Sequence, residues 1–413
     1  YTVIAGILGE VISEFDSVPL DVLKLIFNKF LTYNPNDFPK GLGVASNTGY
    51  ELSLILCDVY SNRISRQLTR YYSEILYQVT KDDVVETTIT YESNPAVIKT
   101  ITKLHKLVVR LWETSPDLVS SVIGYIQHEL SSPHDEIRKS ATKLVGKLLT
   151  VETTGNFLPM YQEVFDAWVL KITDISPEVR MQWVETIPQI LSSRNDVSEE
   201  ISKGLNKTLI DSDVQVRKLS VQVFAKVPAQ NIWKNIHELS VYSSLLYLTR
   251  EKNKDIRDLS ILTAGQFYSD SIENITRTPE NNDIWEIVDT IPSTLLNLYY
   301  INNKFINEEV DRIIFEYILP LETDDNTRTK RLLTVLSHCD DKAFAAFFAF
   351  NKRQLQMSLA LSKYVQFCEV LNKSDKESNK TKDQADSGLE VRIKFNKTLE
   401  WLSSSLSDKM KAL

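Results

Sequence analysis

The chain has 413 residues, 43% of them apolar, and a formal net charge of −8. No apolar run approaches the roughly 18 residues that a membrane span requires, and the acidic balance argues against wrapping nucleic acid by bulk electrostatics, leaving only local DNA contact open. With 11 glycines and no G-x-G-x-x-G or G-K-[ST], the turns that bring a backbone against phosphates are missing, which argues against a nucleotide-dependent enzyme.

The chain opens at Tyr1 inside a helical pattern and reads as a segment of a longer protein. Helices are predicted at about 2–14, 19–31, 47–61, 63–80 and 97–113, with Pro19, Pro35 and Pro39 at turns. Residues 1–113 are thus irregular helical repeats, with an inserted surface loop at 81–96. Glu14 and Asp16 precede Pro19, where Asp16 or Ser17 suits a helix cap and Glu14 is free to face another protein. On the helix at 97–113, Lys99, Lys103, Lys106 and Arg110 share one face beside Ile101, Leu104, Val108 and Leu111. Such a row is either a solvated face or a contact for an acidic partner or phosphate. Lys139, Lys143 and Lys147 form a second row.

From 114 to 270 a period emerges. Ile137-Arg138, Val179-Arg180, Val216-Arg217 and Ile256-Arg257 are spaced 42, 37 and 40 residues apart, close to the roughly 40 to 47 residues of two-helix HEAT-type repeats. The pattern predicts an all-α, elongated, superhelical solenoid with four regular repeats, each packing on its neighbours. First helices are predicted at 116–130, 157–172, 197–210 and 233–250. Ser176, Asp213 and Asn253, four positions before their arginines, are placed to cap the second helices, and Ser132-Pro133 does so in the first repeat. Each arginine lies beside a buried stripe such as Ile137, Ala141, Leu144 and Leu148, and should reach acidic or carbonyl groups in an adjacent repeat's turn. Arg138, Arg180, Arg217 and Arg257 are therefore assigned to structure.

Downstream, helices at 283–302, 307–319, 327–337, 341–349 and 352–371 make 271–371 a further set of repeats. Residues 372–388 lack apolar periodicity and are expected to be disordered; 389–413 holds a last helix, with Leu389, Ile393, Leu399 and Trp401. On the helix from 284, Tyr300 points about 200° from the core residue Leu298, beside Lys304. The next helix carries Ile313, Ile314, Phe315, Tyr317, Ile318 and Leu319 nearly all round, so a partner segment has a side to cover. Arg328, Lys330 and Arg331 crowd a helix start, where the macrodipole disfavours cations, and call for compensation from Glu322, Asp324 and Asp325 or from an acidic bound peptide.

Catalytic and metal constellations are not recognisable. His128 and His134 flank a turn without a third ligand, and no nucleophile-elbow motif occurs. Cys57, Cys339 and Cys368 are far apart, which suits reduced thiols in a cytosolic or nuclear compartment. The reading is a non-enzyme without cofactors.

Several stretches resemble the fungal precocious-dissociation-of-sisters family, cohesin-associated HEAT-repeat regulators of sister-chromatid cohesion. They are E-F-D-S-V-P-L-D-V-L (14–23), L-H-K-L-V-V-R-L-W-E (104–113), I-T-D-I-S-P-E-V-R (172–180), I-W-E-I-V-D-T-I-P-S-T-L (284–295), N-L-Y-Y-I-N (297–302) and F-E-Y-I-L-P (315–320). The resemblance covers nearly the whole chain and is weakest at 81–96 and 372–388. It implies a hooked, nuclear, chromatin-associated scaffold that binds the kleisin subunit of cohesin and regulates maintenance and release of cohesion. Through the full-length protein it implies contact with a Wapl-type releasing factor and SMC subunits. The family's N-terminal A-P-D-A-P element and its C-terminal half are absent from this segment.

On that reading a kleisin segment docks around 283–335, with Tyr299 and Tyr300 as anchors, Phe315 and Tyr317 beside them, and Lys304, Arg328, Lys330 and Arg331 as charge partners. Glu14 and Asp16 form a regulatory surface. The alternatives are importin-like receptors and phosphatase scaffolds. Against the first, Trp112, Trp168, Trp183, Trp233, Trp285 and Trp401 recur at no fixed repeat position; against the second, the repeats are not uniform.

Overall fold

A computed structural model describes residues 2–15, 18–33, 44–81, 95–151, 157–376 and 383–405. Among these residues there is no strand, and helices follow one another through short turns. The chain divides into two units, Tyr1–Val241 and Tyr242–Leu413.

The first unit contains α1 (Thr2–Ser13), α2 (Leu20–Thr32), α3 (Val44–Val59), α4 (Ser61–Lys81), α5 (Pro95–Thr114), α6 (Pro116–Leu130) and α7 (Asp135–Thr150). It continues with α8 (Phe157–Met160), α9 (Gln162–Val169), α10 (Pro177–Ser193), α11 (Ser198–Leu209), α12 (Val214–Lys226) and α13 (Ala229–Asn235). The division between units falls within α14 (Leu239–Tyr247). Helices α2, α5, α7, α10 and α12 pack side by side as one layer, and α4, α6 and α9 belong to the other. At Gly146 α7 meets α10 so closely that an added Cβ would stand 2.4 Å from Thr186 Cγ2. Trp168 and Trp183 fill the space between layers, fully buried with ring centroids 5.3 Å apart. Trp168 also donates its indole N–H to the Thr142 carbonyl at 3.1 Å, so its polar atom is satisfied.

The repeat arginines build a ladder. Arg138 donates to the carbonyls of Ser132 and Pro133, both at 2.9 Å, and forks onto both carboxylate oxygens of Asp174 at 2.8 Å. The backbone carbonyl of Asp174 then accepts from Arg180 at 2.7 Å, and Arg180 forks onto Asp211 at 2.8 Å. Arg217 in turn donates to the Asp211 carbonyl at 2.7 Å. Within the second unit Arg257 holds its own turn through the Glu251 carbonyl at 3.1 Å. Each guanidinium closes the turn before its own helix, and the first two bind the next turn bidentately, which a lysine does not reproduce. Burial pushes the Asp174 carboxyl up, but hydrogen bonds from Arg138 and the Ser176 amide, with the charges of Arg138 and Lys171, outweigh it and hold it below its ordinary range.

The caps differ in part from expectation. Asp213 accepts from the amides of Gln215 and Val216, and Asn253 from those of Asp255 and Ile256. Ser176 stands at the cap position, but its hydroxyl donates to Glu178 and leaves the helix amides alone. Helix α7 begins after His134, so Pro133 precedes the helix and Ser132 accepts instead from the His134 amide. His105 also belongs to structure: it and Tyr72 converge on the buried Glu129, joining α4, α5 and α6.

The second unit holds α15 (Lys254–Asn274), α16 (Asn282–Asp289), α17 (Ile291–Leu296), α18 (Lys304–Ile313), α19 (Asp325–Ser337), α20 (Asp341–Lys376) and α21 (Asp383–Ser405). Two expected helix assignments change here. The helix predicted at 283–302 breaks into α16, α17 and a 3-10 turn at Asn297–Ile301, because Pro292 starts a new helix and Asn302 stops the run at φ 54°, ψ 40°. The two helices predicted at 341–349 and 352–371 are one, since Asn351 does not break it and instead returns its side chain to the Phe347 carbonyl at 2.9 Å.

The stretch 372–388, expected to be disordered, is helical up to Lys376 and again from Asp383, with 377–382 outside the described residues. Lys and Glu are good helix formers and need no apolar stripe to extend a helix already packed on a neighbour. The loop expected at 81–96 lies mostly outside the described residues too, between α4 ending at Lys81 and α5 starting at Pro95.

Candidate functional site

The region 297–337 departs from the regular repeat. Asn302, the one non-glycine residue with positive φ among the described residues, ends the 3-10 turn, and Asn303 caps α18 through the amides of Phe305 and Ile306. An asparagine tolerates the left-handed region better than most residues, though at some cost. This sharp reversal displays Tyr300, 59% exposed, Ile301, 46%, and Phe305, 55%, within six residues. Lys304 is exposed beside them, and Lys254 lies over the Phe305 ring at 5.8 Å. The Tyr300 hydroxyl donates to the Lys342 carbonyl at 3.0 Å, which fixes the ring's outer edge while leaving its face open.

The other predicted anchors have duties within the unit. Tyr299 is half-buried and donates to Asp311, and burial followed by the Asp311 charge raises its phenol well above the ordinary range. Asp311 is itself raised, chiefly by burial, with Arg353 at 3.5 Å opposing. After α18 the chain makes one π turn, Ile314–Ile318, closed by a 2.7 Å bond from the Leu319 amide to the Ile314 carbonyl. This sets Phe315 against Phe350, centroids 5.4 Å apart, and brings the Tyr317 hydroxyl to accept from Gln266 at 3.2 Å. The expectation that a partner covers this apolar segment is corrected: α15 and α20 of the same unit cover it. At Gly265 an added Cβ would stand 2.3 Å from Ile313 Cγ2, so α15 and α18 approach closely.

At the start of α19 one of the three cations is compensated internally. Asp324 caps α19 through the amides of Asn326 and Thr327, and the buried Arg331 pairs with Glu273 at 3.1 Å. Arg328 is half-exposed and Lys330 exposed. The predicted residues also do not form one cluster. Phe305 meets the first turn of α15 at Lys254, whereas Arg331 meets its last turn at Glu273, about 28 Å away along the helix axis.

Ile301 and Phe305 were missed by sequence reasoning, although Phe305 carries a legible signal: it lies 100° off the Ile306, Val310, Ile313 stripe. Also missed was an exposed row on α20, Phe344, Phe348, Leu355 and Leu359, which falls within a 60° arc only when 341–376 is one helix.

Two further sets lie in the first unit. Glu14 is exposed just after α1, whose end is tied down by Arg63 donating to the carbonyls of Ser13 and Phe15 at 3.0 and 3.3 Å; Asp16 lies outside the described residues. Lys99, Lys103 and Lys106 are exposed along α5, and Arg110, half-exposed, pairs with Glu113 at 3.1 Å. No described helix is long and apolar enough to cross a membrane.

Comparison with known proteins matches this architecture. The family model for sister chromatid cohesion protein PDS5 aligns with residues 1–413. The chain is 56% identical over its whole length to sister chromatid cohesion protein PDS5 of Saccharomyces cerevisiae, of which it covers 31%. It is 23% identical to the Schizosaccharomyces pombe protein of the same description over 89% of this chain and 30% of that one. It thus spans about a third of the length of these relatives. A solved structure described as the Pds5-Scc1 complex superposes on the whole chain with a TM-score of 0.85 and 55% identity, and the match covers 58% of that chain. The importin-like and phosphatase-scaffold alternatives are set aside, and the chain belongs to the PDS5 family of sister chromatid cohesion proteins.

Proposed function

We propose that this chain is a non-enzymatic, chromatin-associated nuclear scaffold that binds the kleisin subunit of cohesin and regulates maintenance and release of sister-chromatid cohesion. The observation that carries this reading is the whole-chain match to the protein in the Pds5-Scc1 complex, Scc1 being its kleisin. The kleisin segment docks on the second unit with Tyr300 as its anchor, Ile301 and Phe305 extending the apolar contact and Lys304 supplying charge. Tyr299, Phe315 and Tyr317 pack within the unit through Asp311, Phe350 and Gln266, and Arg331, with Arg328 and Lys330 on the same helix turn, stands apart at the far end of α15. Exposed aromatic residues with adjacent cations have the composition of interface hot spots.

The test is titration of a labelled kleisin segment against wild type, Tyr300→Ala with Lys304→Glu, and Lys330→Glu. The double variant is expected to lose at least tenfold in affinity, with Lys330→Glu near wild type. Unchanged affinity in the double variant removes this face from the reading.

Contact with a Wapl-type releasing factor or SMC subunits is assigned to the exposed Glu14. Because Arg63 holds that helix end through backbone carbonyls, Glu14→Lys should leave stability within about 0.5 kcal/mol of wild type while impairing release. A large stability loss would return Glu14 to a structural role.

A further inference from the structure

The first unit carries a second surface unrelated to the aromatic face at Tyr300. Helices α5 and α7 lie side by side, joined where His105 meets Ser140 at 2.9 Å. This brings the two cationic rows together: Lys106 and Arg110 from α5, Lys143 and Lys147 from α7. Burial, then the charges of Lys143 and Lys106, lowers the Lys147 pKa, so these ammonium groups feel one another; Glu113, whose charge opposes this, is already engaged by Arg110. The α5 row from Lys99 to Arg110 spans about 16 Å.

On the other flank of the α5 row lies a groove of about 430 Å³ between α2 and α5. Its floor is apolar, formed by the buried Phe27, Leu104 and Leu107, and its rim includes Leu25, 60% exposed, with the cations Lys24 and Lys103 outnumbering the one carboxylate, Asp21. Lys103 belongs to both features: it lines the groove and stands in the cationic row. An apolar slot bordered by cations and opening beside a second cationic row has the pattern of a peptide site in which one side chain anchors and flanking charges orient.

We propose that this groove and the adjoining cationic rows form a docking site for an acidic linear segment of a partner protein, which inserts an apolar side chain between α2 and α5 and lays carboxylates across Lys103, Lys106, Lys143 and Lys147. Charge complementarity selects the acidic class. A peptide is favoured over nucleic acid because the slot is floored by the buried side chains of Phe27, Leu104 and Leu107, which suits a single inserted apolar side chain, and because the net charge of −8 repels a long polyanion beyond the patch.

The test uses the 413-residue chain and fluorescence anisotropy with a labelled peptide of repeated Glu-Glu-Leu-Phe. Controls are the same peptide with Ser replacing Leu and Phe, and labelled single-stranded and duplex DNA. Wild type should bind the acidic-apolar peptide with an affinity that falls steeply with salt, and at least tenfold more weakly the serine control and either DNA. Lys106→Glu with Lys147→Glu should weaken the peptide at least tenfold and flatten the salt dependence, while the charge-neutral Leu25→Gln should weaken it at unchanged salt slope. Lys106, Lys147 and Leu25 are all on the surface, and thermal melts establish that the variants fold. Equal binding of the serine control overturns the groove, indifference to the charge reversals overturns the cationic rows, and tighter binding of DNA makes the patch a nucleic-acid surface and overturns the proposal. Tyr300→Ala should leave peptide binding unchanged, which separates this surface from the kleisin face.

Discussion

The arginine ladder of the first unit and the stretch 297–337 of the second use the same residue types to opposite ends. In the ladder, Arg138 and Asp174 are both buried, with side chains 7% and 5% exposed, and every bond they make stays within the chain. At 297–302 a left-handed asparagine and a 3-10 turn interrupt the helical run and leave Tyr300, Ile301 and Phe305 in solvent. Charged residues in this fold are thus as readily consumed inside the chain as offered to solvent, whereas the break in repeat geometry leaves apolar side chains without cover.

The largest effects are expected in the rigid ladder. Arg138→Met leaves the Asp174 carboxylate buried without its fork and should cost about 3 to 5 kcal/mol, read as a shift in urea midpoint; a loss under about 1 kcal/mol would reduce the ladder to decoration. The same pair carries a pH signature. The folded Asp174 carboxyl is held below its ordinary value, whereas the unfolded chain titrates near about 3.9. Its stabilisation is therefore present above that value and lost as pH falls through the lower folded value. Urea midpoints measured from neutral to acid pH should fall more in wild type than in Asp174→Asn, and parallel curves would contradict the assignment.

At the other side, Tyr300→Ala should cost kleisin affinity about 2 kcal/mol while changing stability by less than about 1 kcal/mol, since the exposed ring makes its named bond through the hydroxyl. A large stability loss with unchanged affinity would make Tyr300 another structural residue. A smaller effect is expected at the turn itself: Asn302→Val should destabilise by about 1 kcal/mol because a β-branched residue resists φ 54°, whereas Asn302→Gly should be near neutral by thermal melt. Equal melts for the two would mean that the turn relaxes without cost.

Much of the fold was legible in the sequence because helical repeats are local. The 40-residue recurrence of a branched residue and arginine requires only that each turn meet its neighbour, and the structural duty assigned to Arg138 and Arg180 follows from that period. Helix α6 was predicted at the bounds it has, since Pro116 opens it and its apolar spacing is regular. The candidate site was half legible. Tyr300 was placed outward by helical angle, yet Tyr299, Phe315, Tyr317 and Arg331 carry the same apparent chemistry and are taken by Asp311, Phe350, Gln266 and Glu273. Those partners lie 12, 35, 51 and 58 residues away in the chain, the first across a sharp turn.

Sequence by itself determined the all-α repeat architecture and the arginine rungs, because periodicity and neighbouring turns are properties of short segments. Tertiary structure alone decided which aromatic and charged residues were spent within the chain and which stayed available. It decided, too, that two lysine rows 40 residues apart meet beside an apolar groove. Those outcomes depend on which helix faces come together, and one π turn or one left-handed asparagine re-aims every side chain that follows it.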